Sequence, residues 1–124
     1  MLVNQILSMK ASGDIITIRP AATVADAARL LSEKRIGAIV VSDDGRTPLG
    51  ILSERDIVRQ LATSGADTLA MPVSAIMTPT VTCAPPTATT ADLMGLMTES
   101  RVRHVPVIDD EEHMIGIVSI GDVV

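Results

Sequence analysis

Apolar residues follow two different rhythms along this chain, and the same succession of rhythms occurs twice. Ile15–Ile18 reads as a short extended stretch ended by Arg19-Pro20. Val24, Ala27, Ala28 and Leu31 then recur at i, i+3, i+4 and i+7, the spacing of one helix face. Thr23 and Asp26 stand before that face as a capping box, and Lys34 and Arg35 sit at its far end, where the helix dipole favours cations. The branched run Ala38–Val41 predicts a buried strand, Asp43-Asp44-Gly45 a turn, and Leu49–Leu52 a second strand. Ser53 and Asp56 repeat the capping spacing and open a helix reaching about Ala62, with Gly65 ending it.

The second half runs the same course. Residues 15–58 lie without a gap on residues 81–124, a constant shift of 66. The identities include Pro20/Pro86, Thr23/Thr89, Asp26/Asp92, Arg35/Arg101, Gly50/Gly116, Ser53/Ser119 and Asp56/Asp122. A match at fixed period means one structural unit used twice. Val81–Ala84 is therefore predicted extended, and Thr89 and Asp92 cap a helix with Thr90, Leu93, Met94 and Met97 on its core face. Val105–Ile108 and Met114–Val118 are strands around the solvated acidic turn Asp109–Glu112. Ser119 and Asp122 open a last helix without a body: the chain stops at Val124 where the first copy continues Arg59-Gln60-Leu61-Ala62, so a C-terminal helix is expected to be missing. Thr63–Met71 reads as a small-residue linker, and Val3–Leu7 resembles Val73–Met77. The expected fold is α+β: two pseudo-symmetric strand–helix–strand–strand–helix repeats, residues 1–66 and 67–124, packed through their sheets.

With 124 residues, each half alone would be marginal, which favours two halves folding together. Hydrophobic residues make up 47% of the chain yet include no Phe, Tyr or Trp, so Ile, Val, Leu, Met and Ala must fill the core. The lack of aromatics removes the usual stacking platform for single-stranded nucleic acid, and a net charge of −5 disfavours nucleic acid generally. A lone cysteine, Cys83, fits a reducing compartment and reads as a small buried hydrophobe. Met1–Lys10 lacks the pattern of a signal peptide, and no apolar run reaches ~18 residues, so a cytoplasmic protein without membrane contact is expected. His104 and His113 share no metal-ligand spacing with Cys83, and no nucleophile–base grouping or phosphate-binding Gly-rich loop occurs, which argues against a metal site and against an enzyme.

What repeats is polar chemistry directly after a strand: Gly-Ile-x-Ser-x-x-Asp at residues 50–56 and again at 116–122. Ser-x-x-Asp is first a capping box, and Thr23/Asp26 carries that role alone. Placed twice behind the Gly-Ile strand, it also suits a ligand. A carboxylate accepts hydrogen bonds from a vicinal diol such as ribose, and a helix start offers free N–H groups to an anion.

With Val73-x-x-Ile76-Met77-Thr78-Pro79 and the Pro-x-x-Thr helix starts, the duplicated motif resembles the CBS (cystathionine-β-synthase-type) domain, of which two in tandem make a Bateman module. The resemblance covers essentially the whole chain. It implies clefts between the repeats that take adenosine-containing ligands (AMP, ADP, ATP, S-adenosylmethionine or NAD) as regulatory signals, with no cofactor in the catalytic sense. It also implies homodimerisation and signalling to an effector protein of unknown identity. Carried over by position, Asp56 and Asp122 match ribose-binding aspartates, Ser53 and Ser119 match hydroxyls that reach phosphate or ribose, and Arg55 stands where a phosphate-facing side chain often sits, with Gly121 opposite it in the second copy. Ile16-Thr17-Ile18 and Thr82-Cys83-Ala84 match segments that read the adenine edge. Gly37-Ala38 and Arg103-His104-Val105-Pro106 match the cleft wall. The alternative is a ligand-free dimerisation or protein-interaction scaffold.

Overall fold

The computed structural model describes residues 1–9, 15–79 and 81–123. In chain order the elements are α1 (Val3–Met9), β1 (Thr17–Ile18), α2 (Val24–Lys34), β2 (Ala38–Val41), β3 (Gly50–Ser53), α3 (Glu54–Ser64), α4 (Thr90–Ser100), β4 (His104–Ile108), β5 (Met114–Ser119) and α5 (Ile120–Val123). The last helix, which the sequence opens at Ser119 and Asp122, is α5; Val124 lies outside the described residues. The architecture is α+β, built from two repeats.

Three helices start on the capping boxes read from the sequence. Thr23, Ser53 and Thr89 each accept a hydrogen bond from the backbone N–H of the Asp three residues on, and each Asp carboxylate accepts the cap residue's N–H in return. Both equivalent helices α2 and α4 end on an arginine in the left-handed region, Arg35 and Arg101, each at φ 54°. In each case the next residue closes the turn: the Ile36 N–H donates to the Leu31 carbonyl and the Val102 N–H to the Met97 carbonyl, both at 3.1 Å. This is the Schellman arrangement, usually given to glycine because an L-residue there costs about 1 kcal/mol or more.

The chain forms two compact units, and neither is a contiguous half. One is Ile16–Thr80; the other joins Met1–Ile15 to Val81–Val124. In the first, β1 pairs parallel with β2, and β2 antiparallel with β3, over a core of Ile18, Val24, Ala27, Leu31, Ile39, Val41, Leu52, Ile57 and Val73. In the second, β4 and β5 pair antiparallel over Val3, Ile6, Ala84, Ala88, Leu93, Met97, Val105, Val107 and Val118. The N-terminal leader α1 thus packs with the second repeat, while the Val73–Ala75 leader of that repeat packs with the first.

Three expectations are corrected. The segment 63–71 is not a linker: α3 continues to Ser64, Gly65–Ala70 forms a 3₁₀ helix, and Thr68 is fully buried with its hydroxyl donating to the Gln60 carbonyl at 3.1 Å. Small polar residues conceal this packing because hydroxyl burial leaves no apolar stripe. Met94 is not core but 48% exposed, and α4 buries Leu93 and Met97 instead. Finally, Val81–Ala84 does not form a strand. Only Ala84 bridges, to Val107, with its N–H on the Pro106 carbonyl and its carbonyl taking the Ile108 N–H, both at 3.0 Å. In the first repeat the equivalent pairing runs Thr17↔Val40 and Ile18↔Val41. Pro106 stands at the position of Val40 and has no N–H, so it cannot donate the ladder bond that would carry the strand back towards Thr82.

Candidate functional site

In the Ile16–Thr80 unit the candidate residues gather where β2 begins and β3 ends. Ala38 pairs with Ser53 across the β2–β3 ladder, and the Glu54 N–H, the first of α3, donates to the Gly37 carbonyl at 3.0 Å. The strand entry therefore satisfies a helix-start N–H that has no partner within its own helix. Thr17 pairs with Val40, two residues further along β2. Ile16, Thr17 and Gly37 are half-buried, Ile18 and Ala38 buried, and Arg55 exposed.

At the start of α3 the Ser53 N–H and Oγ both meet Asp56 Oδ2, at 2.9 and 3.1 Å. The Asp56 N–H returns to Ser53 Oγ at 3.3 Å. One carboxylate oxygen thus makes the cap. The other, Oδ1, has Arg59 Nη1 at 3.9 Å, and the Asp56 side chain is only 12% exposed. The Arg59 partner escaped the sequence reading, although Asp-x-x-Arg on a helix is a recognisable i,i+3 pairing. The Gly37 carbonyl contact left no signal at all, because it depends on strand register.

The second unit repeats the construction. His104 pairs with Ser119, and the Ile120 N–H donates to the Arg103 carbonyl at 2.8 Å. The Ser119 N–H and Oγ meet Asp122 Oδ2 at 2.8 and 3.1 Å. Pro106 is buried, with its carbonyl on Ala84; Thr82 and Cys83 are half-buried, and Arg103 and Asp122 exposed. Burial pushes the Cys83 thiol up from its ordinary value, and the charge of Glu112 adds to the effect. The candidate residues thus form two equivalent sets, one in each unit.

Among the described residues no group of three or more His, Cys, Asp or Glu could hold a metal ion, and no helix is long and apolar enough to cross a membrane.

The CBS domain model matches residues 3–63 and 73–124. The chain belongs to the CBS-domain family. It is 41% identical over 107 residues to the mitochondrial CBS domain-containing protein CBSX3 of Arabidopsis thaliana, covering 82% of this chain and 51% of that one, so it spans about half the length of that relative. A CBS-domain containing protein from Agrobacterium tumefaciens superposes with a TM-score of 0.93 at 41% identity, over 99% of this chain and 96% of its own. Two similar structures carry ligands. A CBS domain pair in complex with 5′-methylthioadenosine and S-adenosyl-L-methionine has 27% identity and a TM-score of 0.86, covering 99% of this chain and 96% of that one. A CBS domain protein from Pyrobaculum aerophilum complexed with AMP has 25% identity and a TM-score of 0.85, covering 98% and 89%.

Proposed function

We propose that this chain is a regulatory module that binds an adenosine-containing ligand at each of the two equivalent sets and passes the resulting change to an effector protein. The observation that carries this reading is the twice-built junction in which a strand ends in Ser and a near-identical cap places an Asp beside it: Ser53 with Asp56, and Ser119 with Asp122. At Asp56 the cap uses Oδ2 and leaves Oδ1 to the weakly held Arg59 contact, so a ribose hydroxyl donates to Oδ1 without dismantling the helix start. Thr17 and Cys83 lie on the segments that receive the adenine edge, with Ala38 and Pro106 as walls. The similar structures bound to AMP and to S-adenosylmethionine support this ligand class. A thermal-shift panel of AMP, ADP, ATP, S-adenosylmethionine and NAD tests it: a ligand selective for the folded state raises the melting temperature as RT ln(1 + [L]/Kd), and a panel without any shift removes the reading.

A second reading, a scaffold that dimerises without a ligand, draws on the apolar side chains that α3 and the 3₁₀ segment expose: Val58, Leu61 and Leu69. A homodimer fits both readings, since exposed apolar faces favour closed twofold pairing. Light scattering at twice 13.0 kDa with a flat ligand panel selects the scaffold.

A further inference from the structure

α2 and α4 are the same helix in the two repeats, and they differ in their cations. α2 carries Arg29 and Lys34 beside Asp26 and Glu33. The equivalent positions of α4 are Gly95, Ser100, Asp92 and Glu99, so α4 has both carboxylates and neither cation. On α2, Arg29 Nη1 lies 3.4 Å from Asp26 Oδ1. On α4 a Cβ at Gly95 would meet no atom within 4 Å. The result is an open groove lined by Pro85, Ala91, Asp92, Gly95, Leu96 and Glu99. Asp92 Oδ2 accepts the Thr89 N–H of the cap, and neither Asp92 nor Glu99 has a cationic partner among the described residues. Ala91 and Met94 are exposed beside them, so the outer side of α4 is apolar around two carboxylates. The same imbalance extends to the units. The Ile16–Thr80 unit has seven Lys and Arg against seven Asp and Glu and is neutral; the unit of Met1–Ile15 and Val81–Val124 has three against eight and carries the whole net charge of −5.

We propose that two copies of this chain associate through unlike units, α3 of one copy seated on the α4 groove of the other, with Arg59 against the Asp92 and Glu99 carboxylates. This rests on the homodimer reading above and adds which surfaces meet. A helix that is apolar on its outer side as well as its core side needs a cover. Here the cover must bring apolar side chains and a cation together, and α3 presents both. Val58, 63% exposed, and Leu61 stand three residues apart on one flank. The Arg59 side chain beside them is 74% exposed and touches Asp56 only at 3.9 Å. On α2, Arg29 shows the pairing that the groove lacks: a guanidinium on the carboxylate oxygen that the cap leaves over. Charge selects the orientation. Like pairing would set a unit of −5 against its own copy, whereas unlike pairing sets it against a neutral unit that holds seven of the ten cations. A twofold axis then makes the same contact twice.

Two measurements on the full chain test this. The first is light scattering of the wild type and of Gly95→Arg, which gives α4 the arginine that α2 already has. Gly95 is exposed with open space around its Cβ position, and arginine is a better helix former than glycine, so the variant is expected to fold, which circular dichroism verifies. The wild type is expected at twice 13.0 kDa and Gly95→Arg at 13.0 kDa, because the new side chain fills the groove and pairs with Asp92 within its own copy. The second is cross-linking with a short bismaleimide. Cys83, the one cysteine, is replaced by alanine, and Gly95→Cys and Val58→Cys are made separately in that background. A mixture of the two is expected to yield a link from position 95 of one copy to position 58 of the other, and neither variant alone a covalent dimer. Self-linking of either variant without the mixed link, a mixture that gives no link, or a Gly95→Arg chain that stays dimeric overturns the inference and leaves the homodimer standing. A monomeric wild type removes the homodimer and the inference with it, and leaves the adenosine reading untouched.

Discussion

A Cβ on Gly116 would lie 2.5 Å from Leu7 Cδ2, with Leu7 Cδ1 at 3.1 Å and Cγ at 3.3 Å. Leu7 belongs to α1, the leader that packs on β5 from the far end of the sequence. The equivalent Gly50 on β3 is crossed by Met77, whose Sδ would stand 2.6 Å from an added Cβ, and by the Thr78 carbonyl oxygen at 2.9 Å. Each Gly-Ile strand is thus open on the side where a leader crosses, which is a packing reason for the glycine that begins the duplicated motif. The two clashes differ in kind: one is with a side chain only, the other includes backbone.

That difference predicts opposite rescue behaviour. Gly116→Ala is expected to destabilise by about 1–3 kcal/mol through overpacking, and Leu7→Ala in the same chain to recover part of the loss. Gly50→Ala is expected to be less rescued by Met77→Ala, because the Ile51–Thr78 backbone pair, with bonds of 3.0 and 2.9 Å, fixes the offending carbonyl. Double-mutant cycles from denaturant unfolding measure both couplings; equal rescue at the two sites would refute the distinction.

The leader exchange makes a second prediction. Removing residues 1–9 takes Val3 and Ile6, both buried, out of the core around Val105, Val107 and Val118. It also removes the Val3 N–H bond to the Ala88 carbonyl at 2.8 Å. Native-state hydrogen exchange of the shortened chain should show amides of β4 and β5 losing protection while those of β2 and β3 keep theirs. Uniform loss across both sheets, or none, would contradict it.

Much of this was legible in the sequence, and the parts that were not share a cause. The repeat, three capping boxes and the strand–turn–strand order follow from local periodicity and side-chain chemistry, and the helix caps at Thr23, Ser53 and Thr89 form as read. The Ser53/Asp56 and Ser119/Asp122 pairs were legible because the motif is duplicated in place. What escaped was non-local. Which unit α1 joins depends on long-range packing, and nothing in Val3–Met9 encodes it. Ala84 lost its strand neighbours through Pro106, a residue 22 positions away in the numbering. Thr68 is buried by a hydroxyl contact that leaves no hydrophobic pattern.

Acid should affect one turn in particular. Asp44 Oδ1 accepts the backbone N–H groups of Arg46 and Thr47, each at 2.8 Å, and the hydroxyl of buried Ser42. These bonds, the Thr47 N–H first, hold its carboxyl down from 3.8 to about 2. A carboxyl whose pKa is lowered in the fold contributes stability that is fully present above the unfolded value and is lost as the pH falls through the folded one. The stability difference between wild type and Asp44→Asn should therefore be constant above about pH 5 and close as the pH falls to about 2. Urea midpoints across that range measure it. A gap that stays open at pH 2 would show that the carboxylate charge is not what organises the turn.

The ribose role of Asp56 can be separated from its capping role because the chain contains its own control. Asp26 and Asp56 make the same box: the Asp26 N–H meets Thr23 Oγ1 at 3.1 Å and the Asp56 N–H meets Ser53 Oγ at 3.3 Å. They differ in surroundings. Asp26 is half exposed on α2, behind no Gly-Ile strand; the Asp56 side chain is nearly buried beside the Gly37 junction. Asp26→Ala and Asp56→Ala should each lower the unfolding midpoint through the lost cap. Only Asp56→Ala should also weaken adenosine and AMP, by about tenfold or more, because it alone removes a charged acceptor from a ligand hydroxyl. Adenosine is the sharper probe, since it presents the ribose hydroxyls without a phosphate. Calorimetry on the two variants gives the answer directly: equal adenosine affinity in both would leave Asp56 as a helix cap and nothing more.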